Sequence, residues 1–273
     1  VSAPLPPPAP APLAPLAVTL SGKADLAVEA EARRHAAALG LPFLAREGAL
    51  KGLLERHARA LLVFARDGVR LVDGEGELAF HEGMAHLRMQ RLASGEGDTL
   101  VRLAGLVPGD SVLDCTLGLG QDARVAALAV GPAGRVLGVE KSLPLYALLA
   151  AGLGRAGAFP GACAVEARHA DALEFLRAQP AGACDVVLFD PMFDAPKKSQ
   201  PAFALLRRHA EHAPLTPEAL EEARRVARRC VVVKAGRHSA GLSRLGLRPL
   251  ATSRYADLVW AVVPAHGAPA APA

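Results

Sequence analysis

From Asp98 to the C-terminus the chain alternates short apolar, β-branched runs with longer stretches of helical periodicity, and that alternation leaves few folds open. The strand candidates are Ser111 to Asp114, Arg135 to Glu140, Cys163 to Arg168, Asp185 to Asp190, Cys230 to Lys234 and Asp257 to Val263. Helical stretches lie between them, near Gln121 to Ala129, Pro144 to Leu153, Ala172 to Ala178 and Pro217 to Arg229. Such runs suit strands buried on both faces, and parallel strands need a crossover helix to connect them. The pattern therefore predicts a doubly wound parallel α/β sheet of Rossmann-like type over residues 98–265. In open sheets of this kind ligands bind beyond the carboxyl ends of the strands, so the residues there are the ones to read for chemistry.

The segment before Asp98 reads differently. Residues 1–17 are almost only Ala, Pro, Leu and Val, a composition that predicts a disordered or extended Pro/Ala-rich tail. Residues 18–97 read as a small α+β lobe followed by a linking helix. The lobe holds a short strand at Val18, a helix from Asp25 to Leu39 ended by Gly40, and a second helix near Leu50 to His57. Two strands follow, Ala60 to Ala65 and Gly68 to Val72, joined as a hairpin through Asp67-Gly68. The linking segment carries Met84, Leu87 and Arg91 at helical spacing, with Arg88 among them.

Composition excludes some classes. The 273 residues are 51% hydrophobic and 21% charged, a globular balance, and a net charge of +4 tilts only weakly toward anionic partners. Cys115, Cys163, Cys184 and Cys230 show neither CxxC nor Cys/His ligand spacing, which predicts free thiols, no metal site and a reducing cytoplasm. No apolar stretch reaches the roughly 18 residues needed to span a bilayer, and the start lacks the charge of a signal peptide, so a soluble, cytoplasmic protein is expected.

Two constellations sit at predicted strand ends. Val112-Leu-Asp114-Cys-Thr116-Leu-Gly118-Leu-Gly120 joins a strand to a helix, and Glu140 closes the next strand. Glycines there let the backbone approach a cofactor, and a carboxylate at Glu140 can bind a ribose diol. A dinucleotide fingerprint wants Gly-x-Gly-x-x-Gly, whereas here Asp122 follows the glycine pair. An acid at that place would repel a pyrophosphate and suit a cationic methionine end, which favours S-adenosylmethionine over a nicotinamide cofactor. Asp171 follows the third strand and fits an adenine amino group, the cap of the next helix, or both at once. The second constellation is Asp190-Pro191-Met192-Phe193: a carboxylate and a proline-fixed carbonyl to accept N–H bonds, and a ring to stack on a flat substrate.

Taken in order, Leu113 to Asp122, Asp190 to Phe193, Val231 to Lys234, Met84 to Arg88 and Gly95-Glu96-Gly97 resemble the RsmJ-like family of bacterial guanine-N2 methyltransferases of small-subunit ribosomal RNA. The resemblance spans roughly Phe80 to Val263. Thr116 stands where class I methyltransferases at large carry their first glycine, itself a trait of this family. The lobe before Ala79 looks more like Gram-positive relatives, and Asp194 to Lys198 replaces a different loop. The resemblance implies a class I methyltransferase sheet, S-adenosylmethionine as donor, and a guanine amine in ribosomal RNA or the small ribosomal subunit as acceptor. It also implies that Asp114, Thr116, Gly118, Gly120 and Asp122 hold the methionine side of the cofactor, Glu140 its ribose and Asp171 its adenine. Asp190 and the Pro191 carbonyl would then orient the amine and Phe193 would stack on the base. Arg88, Arg91, Lys197 and Lys198 are the candidate RNA contacts, while Arg224, Arg225, Arg228 and Arg229 read as a solvated helix end. Another nucleic-acid or protein amine as acceptor, a nicotinamide oxidoreductase and a non-catalytic RNA-binding module are the rival readings.

Overall fold

The computed structural model describes residues 13–157, 159–191, 201–210, 214–251 and 257–267. The chain divides into two units, Val1–Glu77 and Leu78–Ala273. In the first unit β1 (Ala17–Leu20) leads through α1 (Leu26–Ala38) and α2 (Leu50–Arg56) to β2 (Ala60–Ala65) and β3 (Gly68–Asp73), with β4 (Glu77–Ala79) completing a sheet of order β1-β2-β3-β4. Asp25 starts α1 by accepting the Val28 N–H at 3.0 Å. β1 and β2 run parallel, and β2 and β3 form the hairpin. Ala65 pairs with Gly68, so the two-residue turn is Arg66-Asp67, one position earlier than Asp67-Gly68. The tail is also shorter than the composition suggested: Ala14 exchanges backbone hydrogen bonds with His57 and Arg59, and Leu16 is fully buried. Leu16 and Ala17 are apolar enough to be worth burying, and the β2 edge offers them backbone partners.

The second unit runs α3 (Gly83–Ala93), α4 (Thr99–Ala104), β5 (Ser111–Asp114), α5 (Gln121–Val130), β6 (Arg135–Glu140), α6 (Leu143–Ala156), β7 (Val165–His169), α7 (Ala172–Arg177), β8 (Cys184–Phe189), α8 (Pro201–His209), α9 (Pro217–Val226), β9 (Ala227–Gly236), α10 (Gly241–Arg244), β10 (Leu250–Ala251) and β11 (Leu258–Pro264). The linking helix α3 falls in this unit, because Ala85 and Met89 bury against Val125 of α5 and the Gln121 side chain accepts the Ala85 N–H at 2.8 Å. The division therefore lies before that helix and not at Asp98.

The sheet order is β10-β11-β9-β8-β5-β6-β7. β5 to β9 are mutually parallel, but β11 is antiparallel to both β9 and β10, so the sheet is mixed and not purely parallel. The segment between β9 and β10 holds only the four-residue α10, too little for a full crossover helix.

Alternation along each strand sends side chains to two cores. Leu113, Val187, Phe189, Val231 and Val233 meet Leu176 of α7 and Leu220, Ala223 and Val226 of α9. Val112, Val186, Leu188 and Val232 meet Leu100 of α4, Ala123, Ala126 and Ala127 of α5 and Leu149 of α6. Several of these helices have a local reason to start. Ser142 caps α6, Asp171 caps α7, and Thr216 caps α9 with Pro217 in its first turn. α9 stops at Val226, short of Arg229, because Ala227 turns extended and opens β9.

That early stop reassigns the arginines. Arg228 and Arg229 lie on β9 and reach Asp185 at 2.8 Å and Asp110 at 2.5 Å, while Arg225 holds the carbonyls of Leu176 and Gln179 at 2.9 Å. They tie elements together instead of forming a solvated helix end. Asp185 also accepts the Ser111 N–H at 2.8 Å, which clamps the amino ends of β5 and β8. Their carboxyl ends are left to build a site.

Candidate active site

Chain order reverses at β5, with β6 and β7 on one side and β8 and β9 on the other, so the switch point lies between the carboxyl ends of β5 and β8. Asp114 ends β5 and Asp190 follows β8. Between them, Cys115 N–H extends the ladder to the Leu188 carbonyl at 2.9 Å. Thr116 then turns its hydroxyl across the gap, where it accepts the Asp190 N–H at 2.6 Å. A glycine at that position could not make this bond.

The loop beyond is shaped by glycines. Gly118 and Gly120 take φ of 52° and 71°, left-handed values that a side chain disfavours, and Gly120 opens α5. Gly118 N–H donates to Glu140 at 2.9 Å, and the other Glu140 oxygen accepts the Ser142 N–H at 2.8 Å. Leu117 tucks over Gly138, where a Cβ would come within 2.4 Å of it. Burial raises the Glu140 carboxyl above its ordinary range against the pull of those N–H groups.

Asp114 is buried, and its carboxylate accepts the Thr116 N–H at 3.0 Å. Burial pushes it up to about 7; that hydrogen bond opposes the rise, and the neighbouring Asp122 and Asp190 charges add to it. Asp122, in the first turn of α5, is balanced differently. Burial would raise it, but Lys234 and Arg88 outweigh burial and hold it below the ordinary carboxylate range.

These contacts form one chain of charges. Asp98 caps α4 through the Leu100 and Val101 N–H groups and takes the Arg88 guanidinium at 2.8 and 3.0 Å. Arg88 reaches Asp122 at 2.5 Å, Lys234 joins Asp122 at 2.9 Å, and Lys234 joins Asp190 at 2.6 Å. Loss of solvation lifts Asp190 above its ordinary range, Asp122 adds to the rise and Lys234 opposes it. Because 43% of the Asp190 side chain still meets solvent, water screens part of that pairing. A cavity of about 10 Å³, room for one water molecule, lies among Leu100, Asp114, Asp122, Asp190, Lys234 and Trp260.

The predicted site residues Asp114, Thr116, Gly118, Gly120, Asp122, Glu140 and Asp190 converge here. Others stand differently. Arg88, read as an RNA contact, is only 19% exposed and engaged by two carboxylates, so it supports the site from within. Asp122 is matched by two cations, Arg88 and Lys234. Asp171 caps α7 through the Leu173 and Glu174 N–H groups and pairs with Lys141 at 3.2 Å, the helix-cap alternative. Arg91 is exposed in the last turn of α3. Pro191 is half-buried just past β8, and Met192, Phe193, Lys197 and Lys198 lie outside the described residues. Sequence reasoning missed Asp98, whose position before the Thr99 helix was a cap signal, and gave no role to Lys234, which lies near the carboxyl end of β9 beside the site.

The charge balance favours a cationic ligand. Among the described residues Asp98, Asp114, Asp122 and Asp190 face Arg88 and Lys234, four carboxyl groups against two cations. Asp114 has a backbone N–H as its partner and, among the described residues, no salt bridge. A sulfonium or ammonium group would relieve that surplus, and a pyrophosphate would meet repulsion. The donor set thus fits S-adenosylmethionine.

Comparison with known proteins agrees. Residues 53–249 match the family described as "Putative SAM-dependent methyltransferase". The chain is 36% identical to the uncharacterised protein YpiP of Bacillus subtilis over 72% of its own length and 79% of that protein. It is 38% identical to the ribosomal RNA small subunit methyltransferase J of Laribacter hongkongensis, over 59% of each chain. A crystal structure of a SAM-dependent methyltransferase from Neisseria gonorrhoeae superposes with a TM-score of 0.62 at 22% identity, covering 92% of this chain and 97% of the other, and shows the same fold.

Proposed function

This chain belongs to the SAM-dependent methyltransferase family, and from that premise we propose that it methylates an exocyclic amine, the N2 of a guanine in small-subunit ribosomal RNA. The observation that carries the reading is the placement of Asp190: a carboxylate at the sheet's switch point, its backbone held by Thr116 and its side chain by Lys234, beside the glycine loop. Relationship to the methyltransferase J proteins supports ribosomal RNA as acceptor. Four unpaired thiols support a reducing cytoplasm as its setting.

S-adenosylmethionine, when bound, supplies a sulfonium methyl that passes to a nitrogen lone pair, the S–C electrons staying on sulfur and one N–H proton left to be taken up. The protein supplies the rest. A guanine amine is a poor nucleophile because its lone pair is delocalised into the ring. Asp190 accepts one N–H and the Pro191 carbonyl accepts the other, which holds the nitrogen in line and favours its pyramidal form. As positive charge develops on nitrogen, the Asp190 carboxylate stabilises it and takes the departing proton. Phe193 stacks on the base. Asp114 would face the cationic end of the donor, Gly118 and Gly120 would admit it, and Glu140 and Asp171 would hold its ribose and adenine. Arg91, Lys197 and Lys198 contact RNA, and a base inside a helix must be extruded to reach the pocket.

The test is Asp190→Ala assayed with tritiated donor and small-subunit ribosomal RNA from a strain lacking the gene. Turnover should vanish while donor affinity, read by calorimetry, stays within about threefold. Unchanged turnover would sink the assignment. RNA binding without any transfer by the native protein would favour the non-catalytic reading. Mass spectrometry of the ribosomal RNA from the same strain should show one guanine lacking its N2 methyl.

A further inference from the structure

Lys234 projects from the carboxyl end of β9 into the acid cluster. Its side chain is 15% exposed, its ammonium lies 2.9 Å from Asp122 and 2.6 Å from Asp190, and the Trp260 ring centroid of β11 is 5.6 Å away. Asp190 is faced by Lys234 from β9, Asp122 and, farther off, Arg88 from α5 and α3, and Asp114 from β5. Arg88 is held by Asp98 and Asp122, so Lys234 is the cation that hydrogen-bonds Asp190 among the described residues.

We propose that Lys234 is a positioning residue for methyl transfer, holding the Asp190 carboxylate ionised and aimed so that it accepts the N–H of the substrate amine. The proposal rests on the reading of Asp190 given above. The reasoning is one of charge and geometry. A carboxylate set beside two others takes up a proton more readily, and a protonated carboxyl presents an O–H where the amine needs an acceptor. One ammonium bridging Asp190 and Asp122 removes that pressure and fixes the Asp190 rotamer, leaving its second oxygen to face substrate. Thr116 fixes the backbone of the same residue, so both ends of Asp190 are held. Lys234 is not itself the base: burial would lower its pKa, but two carboxylates more than compensate and keep it protonated across the working range.

Three variants test this: Lys234→Met removes the charge, Lys234→Gln keeps a hydrogen-bond donor without the charge, and Lys234→Arg keeps the charge. Tritium transfer to the same ribosomal RNA is followed from acid to alkaline pH, with donor affinity by calorimetry and folding by a cooperative melt. For Met and Gln, kcat at pH 7 should fall about 30-fold or more with KM for the donor within about threefold, and the acid limb of the kcat profile should rise by roughly one unit or more. Part of the lost activity then returns at alkaline pH. Arg should restore kcat to within about tenfold of the native protein. Native kcat or an unmoved acid limb in Met or Gln overturns the proposal, as does an Arg variant that folds and is no better than Gln. If Lys234→Met does not fold, Lys234→Gln carries the same reading. A native protein inactive on this RNA, or an Asp190→Ala variant as active as the native one, instead removes the underlying reading of Asp190. In the first case the role of Lys234 is still decided by the carbon-13 carboxyl shift of Asp190, identified with Asp190→Asn. Its titration midpoint should move up in Lys234→Gln, and an unmoved midpoint overturns the proposal.

Discussion

Replacing Arg88 by methionine separates an internal strut from a surface contact. The guanidinium makes two bonds to Asp98 and one to Asp122, and the Arg88 side chain is only 19% exposed, so methionine removes all three bonds and leaves an apolar chain in their place. Removing one partner of a buried ion pair costs about 3 to 5 kcal/mol. Asp98 keeps two helix N–H groups and Asp122 keeps Lys234, so the lower end, about 3 kcal/mol, is expected. For a unit of this size that lowers the melting temperature by roughly 6 to 12 °C. The pH dependence has a definite sign. Asp122 is held below its ordinary value, so the stability it contributes is present above about pH 4 and is lost as pH falls through its folded value. The deficit of Arg88→Met should therefore be full from pH 7.5 down to about pH 4 and shrink only below it, read by urea denaturation followed by circular dichroism. A loss under about 1 kcal/mol, or one equal at all pH values, refutes the strut. Unchanged stability with weakened, less salt-dependent RNA binding would return Arg88 to the RNA-facing surface.

Two further outcomes follow from the switch point. Asp114, raised to about 7, holds a proton below that pH in the free protein, and a bound cation should expel it. Donor affinity should therefore rise with pH up to about 7 and then level off, with proton release at pH 6 seen as a buffer-dependent calorimetric enthalpy; Asp114→Asn should abolish the release, and no buffer dependence in the native protein would refute the assignment. Thr116→Val removes the acceptor of the Asp190 N–H and should lower kcat about tenfold with donor affinity nearly unchanged, while Thr116→Ser should restore it; equal rates for Val and Ser would show that the hydroxyl is idle.

Local pattern made much of the fold legible. β6 and β2 fall where their apolar alternation puts them, and α7 starts at the Asp171 cap. What escaped depends on neighbours remote in sequence. The direction of β11 is set by pairing with β9 and β10, which no periodicity within any of these strands reveals. α9 gives way to β9 at Ala227 because Cys184 waits there to pair. The candidate site divides in the same way. Asp114, the glycines, Glu140 and Asp190 stand at strand ends and could be read one at a time. The role of Arg88 could not, since it depends on Asp98 and Asp122 meeting around it, and Lys234 acquires meaning only when β9 is laid beside β8.

The chain from Asp98 to Asp190 also bears on how this protein is made. Synthesis delivers Arg88, Asp98, Asp114 and Asp122 early, Asp190 much later and Lys234 later still, on the strand that separates β8 from β11. A nascent chain that has not reached β9 holds the acids without the ammonium that bridges two of them, and its parallel strands end on an open edge. Vectorial folding can complete the first unit while the ribosome is still at work, but the acid cluster closes only after β9 has left the exit tunnel. A fragment truncated before Ala227 should therefore leave Asp190 without its cation and β8 with an unpaired edge.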